Sequence, residues 1–398
     1  MEGSSKSLEV MPKPKVLIPY QHALDVADHI PEWDQLSQVV EFVKYKITDV
    51  DEFKRYLAES SIQGFWITDE LFSAVGSPSE LWDYYPDTLK VMVIPWVGHD
   101  FIDGRRLRDE KGVVLCNIGP NAGSSVADLA VHLTLSCFRL TSFWEHCLKF
   151  AVNGRVLESR KYLGSDSTEL WQSEQGPTND GGTRDVTEFQ YPKVADISDD
   201  KNLSRQFTVG NKIVDTPSGK TALILGFGNI GQSIGKRLVC GFDMKVKYTK
   251  RSGPLPRELL GYDAEFCSDL KDAKVWSDVD LIVLSLPGNP HTDNLINSEV
   301  LEKCKDGVRI VNVGRGSCID EDALVEALNS GKVNSCGLDV FKDEMTQVRP
   351  DLLMRFDVTA LPHIGSTVET LMIRQTAVTL QNVESVLVKG EGGIFPVN

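Results

Sequence analysis

Thr221-Ala-Leu-Ile-Leu-Gly-Phe-Gly-Asn-Ile-Gly231 joins an apolar, strand-like run to a glycine loop and to a helix opening at Ile230. Three glycines in the pattern GxGxxG occur by chance in many loops. Between a strand and a helix they do something specific: backbone N–H groups and the positive end of the helix dipole face outward, ready for a pyrophosphate. Gly226, Gly228 and Gly231 therefore predict a dinucleotide site.

Further strand-like runs follow at Lys245–Tyr248, Asp280–Leu286, Val308–Val313, Ser335–Phe341 and Asp357–Leu361, separated by helix-patterned segments. This alternation predicts a doubly wound parallel sheet. A second α/β series precedes it, with strands expected at Val16–Tyr20, Gly64–Thr68, Val91–Pro95 and Val113–Asn117, and helices at His22–His29 and Asp51–Glu59. The fold class is thus α/β, with two Rossmann-like domains, a parallel sheet in each and an active-site cleft expected between them. Ser124–Phe150 reads as one long helix capped by Ser124 or Ser125. Residues 153–216, rich in Ser, Asp, Asn, Gly and Thr, read as a surface insertion without chemistry of its own. The expected domains are 13–117 completed by 362–398, for substrate, and 118–361, containing the insertion, for NAD(P).

The 398 residues exceed what one core usually organises, and 41% hydrophobic with 25% charged residues is a globular composition. A net charge of −15 argues against nucleic acid and anionic membranes as partners. Eight cysteines are scattered without CxxC or Cys/His spacing, so no metal site is expected. Met1–Lys15 has no apolar signal core, which suggests a cytoplasmic protein.

Where a ribose-binding Asp or Glu is due, about 20 residues beyond the glycines, the chain reads Tyr248-Thr-Lys-Arg-Ser252. A carboxylate would repel a 2′-phosphate, whereas Lys250 and Arg251 can pair with one and Thr249 or Ser252 can donate a hydrogen bond, so NADP(H) is preferred with NAD(H) still possible. Arg315, in Val311-Asn-Val-Gly-Arg-Gly316, stands beyond a strand end, where open α/β sheets bind ligands, and its planar fork suits a carboxylate. Glu344 and His363 follow the next two strands. A carboxylate beside the imidazole would favour its protonated form and make it a proton donor to a carbonyl oxygen.

Together with Leu286-Pro-Gly-Asn-Pro-His-Thr292, Leu338-Asp-Val-Phe341 and Pro362-His-Ile-Gly365, these residues resemble the D-isomer-specific 2-hydroxyacid dehydrogenases, in particular the glyoxylate/hydroxypyruvate reductase branch. The resemblance implies an Arg315/Glu344/His363 catalytic set and a small 2-keto or 2-hydroxy acid as substrate. It implies that the amides of Val97 and Gly98, in Trp96-Val-Gly-His-Asp100, hold the substrate carboxylate with Arg315. Asn229 and Ile230 would touch the pyrophosphate and Leu286 would border the adenosine. Val313, Gly314, Asp339 and Gly365 would lie by the nicotinamide, and the long helix would contribute to a homodimer. Met345 stands where the family commonly has Pro, and Trp96, where it often has a small residue, is expected either to narrow the pocket or to pack in a core. The rival reading is a dinucleotide-sensing, corepressor-like protein of the same fold.

Overall fold

The computed structural model describes residues 12–165, 170–172, 189–194, 207–344 and 346–398. The chain divides into two compact units: residues up to Ala122 with Thr367–Asn398, and Gly123–Ser366.

The first unit holds a five-stranded sheet of β1 (Lys15–Tyr20), β2 (Glu41–Lys46), β3 (Gly64–Trp66), β4 (Val91–Val93) and β5 (Val114–Cys116), in the order β2-β1-β3-β4-β5. All four pairings are parallel. Successive side chains point to opposite faces of a strand. Leu17 accordingly joins a cluster with Phe53, Leu57 and Phe65, while Val16 and Ile18 join one with Trp33, Trp66 and Val93. Burial on both faces explains why these strands read as continuous apolar runs rather than alternating ones. β2 escapes that pattern because Glu41-Phe-Val-Lys-Tyr-Lys46 is an edge strand with half-exposed residues. The helix expected at His22–His29 does not form. The carboxylate of Glu70 gathers the N–H groups of Gln21, His22 and Ala23 into a loop, and the helix comes later, at Pro31–Ser37.

The unit is finished by the last segment of the chain. Asn117 N–H donates to the Phe395 carbonyl, Val397 N–H to the Leu115 carbonyl, and Leu115 N–H to Asn398 Oδ1, so 395–398 runs along the open edge of β5. Asn382, 1% exposed, secures the segment: its Nδ2 donates to the Asn117 carbonyl at 2.9 Å, and its Oδ1 accepts from Ile394 and Phe395 at 2.9 and 3.0 Å.

The second unit carries two short antiparallel pairs, β6 (Leu170–Gln172) with β7 (Gln190–Pro192) and β8 (Thr208–Val209) with β9 (Lys212–Ile213). Its main sheet comprises β10 (Thr221–Leu225), β11 (Lys245–Thr249), β12 (Glu265–Phe266), β13 (Leu281–Leu284), β14 (Val308–Asn312), β15 (Val333–Leu338) and β16 (Val358–Ala360). The order is β12-β11-β10-β13-β14-β15-β16, all parallel. It is a doubly wound sheet whose order reverses between β10 and β13, beside the glycine loop.

Two expectations are corrected here. The long helix begins at Gly123, ahead of both serines, and breaks at Leu140, whose φ of 50° no helix accommodates; Gly123–Arg139 and Thr141–His146 are separate helices. The 153–216 stretch is also more than a surface excursion. Tyr162, Tyr191 and Val209 pack with Leu140, Phe143 and Phe356, and Lys212 is buried. Lys212 Nζ reaches Asp357 at 3.1 Å and the Leu328 carbonyl at 2.6 Å, and Arg355 binds the same carboxylate through two nitrogens at 2.8 and 2.9 Å. The rest of the stretch, 166–169, 173–188 and 195–206, lies outside the described residues.

Asn382→Ala removes the partner of three backbone groups, the Asn117 carbonyl in the interior and the partly covered amides of Ile394 and Phe395. At roughly 1–3 kcal/mol for each such group, with partial relaxation, the first unit is expected to lose about 2–4 kcal/mol. Urea unfolding that shows an unchanged midpoint for this variant would remove Asn382 as the anchor.

Candidate active site

The glycine loop leaves β10 through Gly226, whose φ is +90° and where a Cβ would lie 2.8 Å from the Ser285 carbonyl oxygen. Ser285 Oγ donates back to the Gly226 carbonyl at 2.6 Å. At Gly231 a Cβ would fall 2.2 Å from the Gly226 oxygen, so only glycine lets the helix Asn229–Phe242 start this close to the strand. Gly228 is different: a Cβ there would meet nothing within 4 Å. It precedes a helix whose first N–H groups receive no side-chain cap. Two glycines demanded by packing, one facing open space and an uncapped helix start are the features a pyrophosphate requires. The residues fit a dinucleotide.

β11 runs beside β10, pairing Leu225 with Thr249, and Thr249 Oγ1 accepts from Gly226 N–H at 3.4 Å. Lys250 and Arg251 follow directly, Arg251 exposed, and neither enters a salt bridge among the described residues. Both cations stand beyond the same sheet edge as the glycine loop.

Arg315, Asp339, Glu344 and His363 follow the carboxyl ends of the adjacent strands β14, β15 and β16. Asn312, fully buried, shapes the first of these ends: its Oδ1 accepts from Gly314 N–H at 3.0 Å and its Nδ2 donates to the Arg315 carbonyl at 2.9 Å. The glycines flanking Arg315 are both enforced. A Cβ at Gly314 would lie 2.8 Å from the Leu286 carbonyl oxygen, and one at Gly316 would lie 1.9 Å from the Phe341 carbonyl carbon. The Arg315 turn is thereby pressed against the chain that leads to Glu344.

Glu344 uses both oxygens. Oε1 accepts from Phe341 N–H at 2.7 Å, which closes its own turn, and Oε2 meets His363 Nδ1 at 2.9 Å. His363 holds φ at 54°, an uncommon conformation for a residue with a side chain, of the kind that persists where surrounding bonds impose it. Those bonds come from Asp339, whose two oxygens accept from Ile364 and Gly365 N–H at 2.8 and 2.9 Å. The imidazole remains 48% exposed on its side chain.

The hydrogen bond from Glu344 holds the His363 pKa above the usual histidine range, against a smaller opposing push from burial and from Arg315. Burial pushes Glu344 upward, but its bonds to His363 and Phe341 outweigh this and leave it below the usual carboxylate range. Burial raises Asp339 despite its two amide bonds. The arrangement sets an imidazole, whose protonated form the carboxylate favours, beside an arginine, a combination that can give a proton to an oxygen while an anion is held.

In the first unit, Asn117 Nδ2 donates to the Val97 carbonyl at 2.7 Å, fixing the Val97-Gly98 turn, and the amides of Val97 and Gly98 have no acceptor among the described residues. Trp96 packs against Phe72 and Phe101, with centroids 6.1 and 6.2 Å away, as part of that unit's aromatic cluster. Sequence reasoning passed over Asn312 as a shaping residue and Asp339 as the clamp of the histidine loop; an Asn directly before Val-Gly-Arg-Gly was the available signal for the first. Met345 lies outside the described residues.

A family model for the D-isomer specific 2-hydroxyacid dehydrogenase NAD-binding domain matches residues 196–365. A protein of Saccharomyces cerevisiae, provisionally named a 2-hydroxyacid dehydrogenase, is 49% identical over 97% of this chain and 96% of its own. A Thermotoga maritima hydroxypyruvate reductase is 32% identical over 70% of this chain and 71% of its own. Among solved structures, a glyoxylate reductase from Paecilomyes thermophila matches with a TM-score of 0.75 and 26% identity, covering 97% of this chain and 99% of that one. In the described residues no helix is long and apolar enough to cross a membrane. With the glycine cradle and the Arg, Glu and His at adjacent strand ends, these matches establish that the chain belongs to the D-isomer-specific 2-hydroxyacid dehydrogenases, oxidoreductases that use a nicotinamide dinucleotide.

Proposed function

We propose that the protein reduces small 2-keto acids of the glyoxylate and hydroxypyruvate kind to (2R)-hydroxy acids, with NADPH preferred over NADH. The observation that carries the reading is the 2.9 Å bond between His363 and Glu344 beside Arg315. The names of the Thermotoga and Paecilomyes relatives support the substrate class.

The bound dinucleotide supplies the hydride taken up at C2. His363, held protonated by Glu344, gives its proton to the carbonyl oxygen and recovers one through its exposed side. Arg315 orients the carboxylate and carbonyl through its planar fork. The amides of Val97 and Gly98 are assigned to the same carboxylate on the family resemblance. Asp339 holds the loop carrying His363 in place and, with Val313, Gly314 and Gly365, is assigned to the nicotinamide side. Gly226, Gly228, Asn229, Ile230 and Gly231 receive the pyrophosphate, Leu286 borders the adenosine, and Thr249, Lys250 and Arg251 receive the 2′-phosphate.

His363 has a raised pKa, so its donor form persists to higher pH than that of a free histidine. Reduction is then full below that pKa and falls as pH rises through it. Glu344→Gln removes the charge that raises it, and the alkaline limb of kcat/KM for glyoxylate reduction is expected to move to lower pH. A limb that stayed in place would refute the pairing of roles. His363→Ala should reduce turnover by roughly 10²- to 10⁴-fold, the usual worth of a positioned proton donor, with NADPH binding retained. For the cofactor, Lys250→Ala combined with Arg251→Ala is expected to weaken NADPH binding by roughly 10-fold or more, from the worth of hydrogen bonds to charged groups, and to leave NADH nearly unaffected. Wild-type protein that bound the two equally would overturn the preference.

A further inference from the structure

Among the described residues, hydrogen bonds to the rest of the fold hold the loop that bears Lys250 and Arg251 at its two ends. Its near end is the β10–β11 ladder, which stops at Thr249. Its far end is Gly253-Pro-Leu-Pro256, where Pro254 and Pro256 have no N–H. Leu255 is therefore the sole backbone donor of residues 254–256, and that N–H goes to the hydroxyl of Tyr248 at 2.8 Å. Between the two points, Gly253 N–H closes a turn on the Lys250 carbonyl at 3.1 Å.

Tyr248 is 1% exposed, with its ring stacked on Phe227 at 4.0 Å and 21° and lying 5.5 Å from Phe266. A phenylalanine would fill the same space, so the loop sees only the hydroxyl. Phe227 is the residue between the first two glycines of the cofactor loop, and Phe227 N–H donates to the Thr249 carbonyl at 2.9 Å. One buried ring thus abuts the pyrophosphate loop on its face and holds the cationic loop by its oxygen.

We infer that Tyr248 is a positioning residue for cofactor choice: its hydroxyl, through the Leu255 amide, holds Lys250 and Arg251 where a 2′-phosphate meets them. The inference rests on the reading of this loop as the 2′-phosphate site. It acts chiefly on the phosphorylated dinucleotide, because NADH carries at that position a neutral 2′-hydroxyl in place of the phosphate charge that the two cations pair with. A residue that merely supported the packing would weaken both dinucleotides alike.

The test is Tyr248→Phe in the intact protein, with dissociation constants for NADPH and NADH measured by fluorescence titration and amide exchange followed at Leu255. Loss of one neutral hydrogen bond predicts a rise of roughly 3- to 10-fold in the NADPH constant, an unchanged NADH constant, and faster exchange at Leu255. In a background carrying Lys250→Ala and Arg251→Ala the same substitution should no longer change NADPH binding, since a pairwise effect vanishes when its partner is gone. A wild-type preference for NADPH that Tyr248→Phe leaves intact, or an equal loss for both dinucleotides, overturns the role of Tyr248 while sparing the site. Equal binding of both by the wild-type protein overturns the site, and the inference with it.

Discussion

The space between the turn after β14 and the turn after β15 is too small for one methyl group. At Gly316 a Cβ would sit 1.9 Å from the Phe341 carbonyl carbon, and at Gly314 it would sit 2.8 Å from the Leu286 carbonyl oxygen. The placing of Arg315 beside Glu344 and His363 depends on that approach. It sets Arg315 against the peptide that precedes Glu344, close enough for the guanidinium charge to act on both Glu344 and His363. A bulkier residue at Gly316 would push the Arg315 turn away from the chain that carries Glu344.

The setting of His363 is built by a chain of hydrogen bonds in which each carboxylate does two jobs. Glu344 closes its own turn with Oε1 and holds the imidazole with Oε2. Asp339 binds the two amides after His363 and so keeps that residue in its left-handed conformation. Geometry and acidity are therefore coupled, since the bond that orients the imidazole also raises its pKa. Such a site tolerates an exposed histidine because its orientation comes from the backbone and the carboxylates rather than from enclosure.

The parts legible in the sequence were those with a local chemical signature. The glycine loop, the basic pair after β11 and the Arg, Glu and His after three successive strands all announce themselves by residue type and order. Apart from β2, β11 and β12, the strands of both sheets are mainly apolar runs because burial on two faces removes polar alternation, and the edge strand β2 went unread. Illegible parts depended on partners distant in the chain. Gln21–Ala23 form a loop because Glu70 takes their amides, and nothing within 22–29 reveals that. Leu140 breaks an otherwise uniform helix pattern through a backbone angle that residue type does not encode. Lys212, inside the stretch read as a surface insertion, is buried because the fold brings Asp357, Leu328 and Val333 to it.

The segment that closes the edge of β5 also constrains the order of events during synthesis. Residues 395–398 supply partners for strand groups at Leu115 and Asn117, yet the whole second unit lies between them in the chain. A ribosome adding about 5–20 residues per second leaves that edge without its natural cover for tens of seconds. Over this interval the nascent first unit offers an open row of backbone donors and acceptors, the feature by which strands recruit foreign partners. The second unit, continuous in the chain, can be complete while the first is still waiting. Early steps of biogenesis are thus where this architecture is most exposed to chaperones and to misassociation.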